Sequence, residues 1–168
     1  MKRLGLVTTF LMLLVAVSAS VALAATTITP ANAPSGTHTQ SGTIGCTVNS
    51  NLSVTCSSFE LAGVGNTNAE VSLEANYTAT INCTNHGGNL VESHTSNFSA
   101  GETFTATSSK NGRLRVASAD ANPFEAPQVC PNPNWTPSIA PGTLVLNSFS
   151  YSVTFAGFDD PYILITGP

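Results

Sequence analysis

Cysteine is the residue type with the most specific chemistry in this chain, and it occurs four times, as Cys46, Cys56, Cys83 and Cys130. No pair shows the close C-x2–4-C spacing of a zinc site, so the even number favours disulfides over a metal centre. Cys46 and Cys56 flank a short hairpin-like stretch, and we therefore expect them to pair. Of the three possible connectivities, this choice leaves Cys83 bonded to Cys130.

The three histidines, His38, His86 and His94, are the candidate general bases. Nucleophilic hydrolysis needs a serine or cysteine beside such a base, and a third group that orients the base. The sequence has no G-x-S-x-G nucleophile elbow, and cysteines that are paired in disulfides cannot attack a substrate. His38 lies in the N-terminal segment, and the other two lie near turns or strand edges. We therefore expect solvated surface histidines and a protein that is not an enzyme.

Paired carboxylates are the groups that a glycosidase needs. Glu70 and Glu74 share one side of a predicted strand, but they lie about 13 Å apart at the usual rise per residue. That separation is too large for either the retaining or the inverting mechanism. Asp159 and Asp160 can offer oxygen ligands to calcium, yet adjacent acids are typical of plain turns. The sequence therefore predicts no catalytic carboxylates, no metal and no cofactor.

Aromatic side chains form the last candidate site, because the C–H face of a sugar packs on an aromatic ring. The aromatic candidates are Trp135, Tyr77, Tyr151 and Tyr162. The predicted register points Tyr77 and Tyr151 into the core. Trp135 lies close in sequence to Cys130, where packing over the core is the competing interpretation. Trp135 is thus the one candidate ligand-binding residue, and its ligand would be a glycan.

The N-terminus has the three parts of a secretory signal peptide. Lys2 and Arg3 supply the positive region, an apolar stretch runs over residues 4–17, and Ala22 and Ala24 form an A-x-A cleavage site. We therefore predict a signal peptide over residues 1–24.

The alternative to cleavage is an uncleaved anchor, since residues 4–25 are long enough to span a bilayer. Hydroxyl side chains interrupt that stretch, and no charged stop-transfer cluster follows it. We therefore expect a secreted, extracellular protein without stable membrane insertion after signal cleavage.

Charge excludes one class of partner. After cleavage only Lys110, Arg113 and Arg115 remain as fixed positive side chains against nine acidic ones, which gives a net charge of −6. Nucleic-acid binding requires basic clusters that neutralise phosphates, and this chain has none. Threonine, serine, asparagine and glycine are abundant instead, and this composition suits β-strands joined by turns rather than helices.

Strict alternation of apolar and polar residues identifies the strands that must position these candidates. Residues 69–83 alternate without a break, which predicts a long strand with one face toward the core and one toward water. Residues 148–156 repeat the pattern with aromatic residues and valine on the apolar side. Shorter strands are expected at residues 44–48, 52–56, 58–62, 90–95, 102–107, 112–117, 143–146 and 161–166.

Many short strands separated by glycine- and asparagine-rich turns predict an all-β fold, an antiparallel β-sandwich of Ig-like or jelly-roll-like type with two disulfides. Residues 25–43 lack a period, and we expect a flexible leader there. Residues 44–168 should then form a single β-sandwich domain. Within it the proline-rich residues 118–142 predict a long loop that is tied down at Cys130.

Three motifs together resemble a known group of proteins. They are Cys-Thr-Asn-His-Gly-Gly-Asn at residues 83–89, Lys-Asn-Gly at residues 110–112, and Cys-Pro-Asn-Pro-Asn-Trp-Thr at residues 130–136. Their order is similar to that of uncharacterised exported bacterial proteins of actinobacterial type, over roughly residues 60–155. The resemblance implies a secreted β-rich domain and supports the Cys83–Cys130 pairing. It implies no activity, and the pattern has a proline where His86 stands, which argues against catalysis there.

Function is therefore expected to reside in a surface. The first hypothesis is a secreted, non-catalytic β-sandwich protein that binds an unidentified extracellular partner. The alternative is a stand-alone carbohydrate-binding module that uses Trp135 as its anchor.

Overall fold

A computed structural model describes residues 24–168 of the chain. The predicted signal peptide over residues 1–24 therefore lies outside the described residues, apart from Ala24 at its end. Within the described part, no helix has the length and apolar character needed to cross a membrane.

Twelve β-strands and one short 3-10 helix, Pro30–Asn32, make up the described chain. The strands are β1 Ala25–Ile28, β2 His38–Gly42, β3 Cys46–Val48, β4 Val54–Cys56, β5 Phe59–Ala62, β6 Ala69–Thr84, β7 Leu90–Ala106, β8 Arg113–Val116, β9 Ala119–Ala121, β10 Thr136–Ile139, β11 Val145–Phe155 and β12 Ile163–Gly167.

The strands form one large sheet and two small ones, and every pairing is antiparallel. The large six-stranded sheet has the order β1-β12-β11-β6-β10, and β7 pairs with the other side of β6. Along the first side of β6, β11 pairs with residues 69–78 and β10 with residues 81–84. The two three-stranded sheets have the orders β2-β5-β8 and β3-β4-β9.

The main hydrophobic core lies between the large sheet and both small sheets. Val71 and Leu73 of β6 and Tyr151 of β11 point inward and are buried with Val54 of β4 and Leu61 of β5. This follows from alternation, because successive side chains of a strand point to opposite faces. The predicted all-β, antiparallel, sandwich-like fold is therefore confirmed.

A second, smaller core cluster covers the far end of β6. Ala79, Ile81 and Cys83 are buried there together with Cys130, and Trp135 packs against the cluster from the segment between β9 and β10. The partly buried side chains of Phe98, Ile139 and Leu144 complete this cluster.

The N-terminal segment, residues 25–43, differs from the predicted flexible leader because two of the described strands lie in it. β1 pairs with β12 and β2 pairs with β5. Thr29 N also donates to Tyr162 O at 2.8 Å, and Ala33 is buried in the main core. The segment has no hydrophobic period of its own. It is ordered by backbone hydrogen bonds to the edges of strands that are distant in the sequence.

Other boundaries also differ from the sequence prediction, and the strands predicted at 143–146 and 148–156 are one strand, β11. The predicted loop over residues 118–142 contains β9 and β10, and Pro137 is accommodated in β10 because this strand lies at a sheet edge. The predicted strands at 90–95 and 102–107 are parts of one strand, β7, which continues through Gly101. By contrast, the long strand predicted at residues 69–83 is confirmed as β6.

Candidate functional site

A cleft of about 540 Å³ lies where β7 passes the end of β9. Its walls come from the outward face of β6, from the middle of β7 and from the segment that follows β9. The lining residues are Ser72, Glu74, Ser99, Ala100, Gly101, Glu102, Thr103, Asp120, Asn122, Glu125, Ala126 and Pro127.

Gly101 allows β7 to lie against β6 in this cleft. Its φ is +152°, a conformation that side chains rarely adopt, and a Cβ there would collide with the carbonyl oxygen of Leu73. Glycine is therefore required for the close approach of the two backbones. The cleft occurs at a position where β7 carries no side chain.

Four carboxylates give the cleft its charge. Glu102 Oε1 accepts a 2.7 Å hydrogen bond from Asp120 N, which ties β7 to β9. Glu125 Oε1 accepts a 2.9 Å bond from Asn122 Nδ2. Glu74 and Asp120 are exposed, and neither carboxylate forms an ion pair within residues 24–168. No lysine or arginine of the described residues lines the cleft, so its field is negative.

The cleft opens onto a sheet face that is covered with hydroxyl and amide groups. The hydroxyl oxygens Ser72 Oγ and Thr103 Oγ1 lie 3.0 Å apart across the β6–β7 pair. Further along the same two strands, Thr78 Oγ1 donates to Asn97 Oδ1 at 2.6 Å. This outward face is polar because every second residue of β6, β7 and β11 points away from the core. Its serines and threonines on these three strands are Ser72, Thr78, Thr80, Thr84, Ser93, Thr95, Ser99, Thr103, Thr105, Ser148, Ser150, Ser152 and Thr154.

The histidines lie apart from the cleft. His38 Nδ1 is 2.9 Å from Gly36 O on the exposed surface, and His86 is exposed in the turn between β6 and β7. His94 lies on β7, where its Nδ1 is 3.6 Å from Glu92 Oε1. That nitrogen is enclosed and has no hydrogen-bond partner among the described residues. Two of the three histidines thus lie at the surface, while His94 is partly buried.

The remaining candidates are widely separated. Glu70 and Glu74 are both exposed on the outward side of β6, and only Glu74 lines the cleft. Asp159 and Asp160 are exposed in the turn after β11. Among the described residues, no group of three or more histidine, cysteine, aspartate or glutamate side chains is placed to hold a metal ion.

Trp135 is partly buried against the second core cluster, close to the Cys83–Cys130 bond. Its contacts are therefore those of a residue that packs over the core, which was the competing interpretation. Its use as a glycan anchor stays a prediction. Tyr77 and Tyr151 point into the core as the sequence predicted, and Tyr162 is buried as well.

The two buried central tyrosines differ in their hydrogen bonding. Tyr77 OH donates to Leu52 O at 3.0 Å and lies 3.4 Å from Ala121 O, which links β6 to the β3-β4-β9 sheet. Tyr151 OH has no partner within residues 24–168. Burial raises the pKa of Tyr77 to about 12 and also raises the pKa of Tyr151. Both phenols are therefore neutral in the folded protein over the physiological range.

Both predicted disulfides are confirmed. Cys46–Cys56 joins directly paired residues of β3 and β4. Cys83–Cys130 joins the end of β6 to the segment between β9 and β10. There it covalently fastens that segment over the inner face of the large sheet.

The cleft was not predicted from the sequence. Glu74, Glu102, Asp120 and Glu125 are far apart in the chain and form no motif. The one available local signal was the glycine at position 101 inside a strand-like pattern, since such a glycine marks a close backbone approach.

Comparison with protein-family models, with curated proteins and with solved structures finds no match to this chain. The resemblance to exported bacterial proteins therefore stays a prediction from the motifs.

Proposed function

We propose that this protein is a secreted, non-catalytic binding protein whose cleft takes a positively charged segment of an extracellular partner. The observation that carries the proposal is the cleft itself, whose lining among the described residues has four carboxylates and no basic side chain. Lysine ammonium and arginine guanidinium groups are the chemical complement of such a surface.

The proposed location rests on the covalent structure and the N-terminal sequence together. Two disulfides persist in oxidising compartments and are rare in reducing ones. The signal-like residues 1–24 supply a route to such a compartment.

The charges explain how a basic partner would be recognised. Glu74 and Asp120 are exposed carboxylates that pair with no cation among residues 24–168, so a ligand's ammonium group reaches them without displacing an ion pair of the described chain. Glu102 and Glu125 are already hydrogen-bonded, and they hold the walls of the cleft in place. The net charge of −6 after signal cleavage also accelerates the approach of a basic partner at low ionic strength.

Binding of a fluorescent oligolysine peptide tests the proposal, with a neutral glutamine peptide of equal length as the reference. The Glu74→Gln/Asp120→Asn double variant should weaken binding roughly tenfold, because each exposed pair contributes up to about 1 kcal/mol. Glu70→Gln is the matched control, since Glu70 lies on the same face of β6 outside the cleft. Equal binding by the control and the double variant would contradict the proposed site.

The non-catalytic part of the proposal has a separate test. The purified protein should show no turnover on a broad panel of ester, peptide and glycoside substrates. Robust turnover that a single substitution removes would overturn this part, and His94 would be the first residue to change, because its Nδ1 is enclosed beside Glu92.

A stand-alone carbohydrate-binding module is the second candidate. The observation in its favour is the hydroxyl- and amide-covered face, which extends to Thr136 and Ser138 beside Trp135. Retardation in native gels that contain insoluble polysaccharide tests it. Trp135→Phe should preserve retardation and Trp135→Ala should abolish it. If Trp135→Ala binds every glycan as the unmodified protein does, Trp135 is not an anchor.

A further inference from the structure

Strand β7 has an open edge on the side that faces away from β6. β7 pairs with β6 along one side, and within residues 24–168 no strand pairs with its other side. No backbone group of residues 90–97 bonds to anything outside β6 in the described chain. Every second residue of an edge strand directs its N–H and C=O groups away from the one neighbouring strand. This edge of β7 therefore presents a row of unpaired donors and acceptors.

Most of the other sheet edges carry features that prevent strand addition. β1 is only four residues long and is followed closely by Pro30, and β10 contains Pro137. β8 presents Arg113 and Arg115, and the edge strands β3 and β9 have three residues each. Short strands, prolines and basic side chains are the usual protection against edge-to-edge pairing.

The first half of β7 has none of these features. Residues 90–97 contain no proline, lysine or arginine, and Leu90 and Val91 are 59% and 42% exposed. The cleft occupies only the second half of the strand, from Ser99 onward, so the open edge and the cleft do not overlap.

We propose that the edge of β7 over residues 90–97 pairs with the same edge of a second copy of this chain, antiparallel and about a two-fold axis at Ser93. The large sheets of the two copies then become one continuous sheet. An isologous contact of this kind is self-complementary, and it closes as a dimer. The pairing supplies partners for the unpaired backbone groups of both copies at once.

Charge favours this register. A two-fold axis at Ser93 places Glu92 of each copy opposite His94 of the other, so that no two glutamates face each other. Opposite residues on paired strands are close neighbours, and like charges there are destabilising. The exposed Leu90 and Val91 lie beside the second copy at the end of this pairing, where the register of β7 against β6 shifts between Leu90 and Glu92.

Sedimentation velocity of the full mature chain over a range of concentrations tests the proposal, and a dimer is expected. Ser93→Lys sets two lysines against each other at the axis and should raise the dimer Kd roughly fivefold or more. Ser93→Ala removes only the side-chain bond to Asn82, so its dimer should persist. Thr105→Lys adds the same charge on the same face of β7, beyond the open edge, and should leave the dimer intact.

Cross-linking provides a second measurement that does not depend on affinity. Directly opposite residues of antiparallel strands are close enough for a disulfide. Ser93→Cys should therefore give a covalent dimer under oxidising conditions, and Thr105→Cys should not. A protein that stays monomeric at all concentrations, or a dimer whose Kd is the same for Ser93→Lys and Ser93→Ala, would overturn the proposal.

Discussion

The two halves of β6 share the same alternation of apolar and polar residues, but different parts of the molecule cover their buried faces. In the first half, residues 69–77, the inward side chains are buried in the main core between the large sheet and the two small sheets. The second half, residues 79–84, is covered only by a small cluster that the segment around Cys130 and Trp135 supplies. Ile81 and Cys83 are fully buried there nevertheless. A fully buried side chain can therefore be covered either by a large core or by a single segment of the chain.

Loss of the Cys83–Cys130 bond should separate the two halves most clearly. The chain-entropy model gives up to about 4 kcal/mol for this bond, which spans 47 residues. In the Cys83→Ser/Cys130→Ser variant we expect proteolysis within residues 118–142 first, because that segment regains conformational freedom. The first half of β6 should stay protected. Limited proteolysis with peptide mapping, together with urea unfolding, measures both effects.

The Cys46→Ser/Cys56→Ser variant is the control for that experiment. Its bond spans only 10 residues and joins two directly paired strands, so its loss should cost less, about 3 kcal/mol at most. Early cleavage of residues 118–142 in this variant, or cleavage of β6 before that segment in the first, would contradict the comparison.

Truncation of one apolar side chain in each half of β6 should affect stability in two different ways. Leu73→Ala should lower the free energy of global unfolding by about 3 kcal/mol, because Leu73 is buried in the main core. Ile81→Ala should act mainly on local opening, and hydrogen exchange should accelerate in β10 and the end of β6 more than in β11. Urea unfolding and native-state hydrogen exchange distinguish the two. Equal exchange profiles for both variants would show that the molecule unfolds as one unit.

Substitution of Gly101 tests the close approach of β6 and β7 beside the first half. Gly101→Ala should cost about 2 kcal/mol, because its Cβ meets the carbonyl oxygen of Leu73 and its φ of +152° is unfavourable for alanine. Gly45→Ala is the matched control, since it has open space around it and no positive φ. Thermal unfolding of both variants measures the difference, and a neutral Gly101→Ala would remove the argument for a required glycine.

The smallest effect is expected at Tyr77 and Tyr151. Tyr77→Phe leaves the carbonyl oxygen of Leu52 without its 3.0 Å donor and should cost about 1 kcal/mol. Tyr151→Phe removes a hydroxyl that has no partner among the described residues, so stability should be unchanged or slightly higher. Urea unfolding of both variants provides the measurement, and a larger loss for Tyr151→Phe would contradict the assignment.

Alkaline unfolding adds a pH dependence to this pair. An unfolded tyrosine ionises near pH 10, while burial raises the pKa of Tyr77 to about 12 in the folded state. A raised folded-state pKa gives stability that is full below about pH 10 and is lost as the pH rises toward about 12. The Tyr151→Phe variant should lose less stability over that interval than the unmodified protein, because one of the buried phenols is then missing.

Local patterns predicted the parts of the fold that depend on local rules. Alternation over residues 69–83 predicted β6 and its buried face, and the short span between Cys46 and Cys56 predicted their bond. The strands β1, β2, β9 and β10 were missed because they have little hydrophobic period of their own. Each is ordered by hydrogen bonds to a strand that is distant in the sequence.

Alternation, cysteine spacing and composition are local properties of the chain, and they were enough to predict the all-β class, the disulfide pairing and the negative charge. Only the tertiary structure brought Glu74, Glu102 and Asp120 into one cleft, because they lie on three different strands. It also placed β7, among the described strands, at a long open edge. Strand order in a sheet depends on long-range contacts, and no local pattern encodes them.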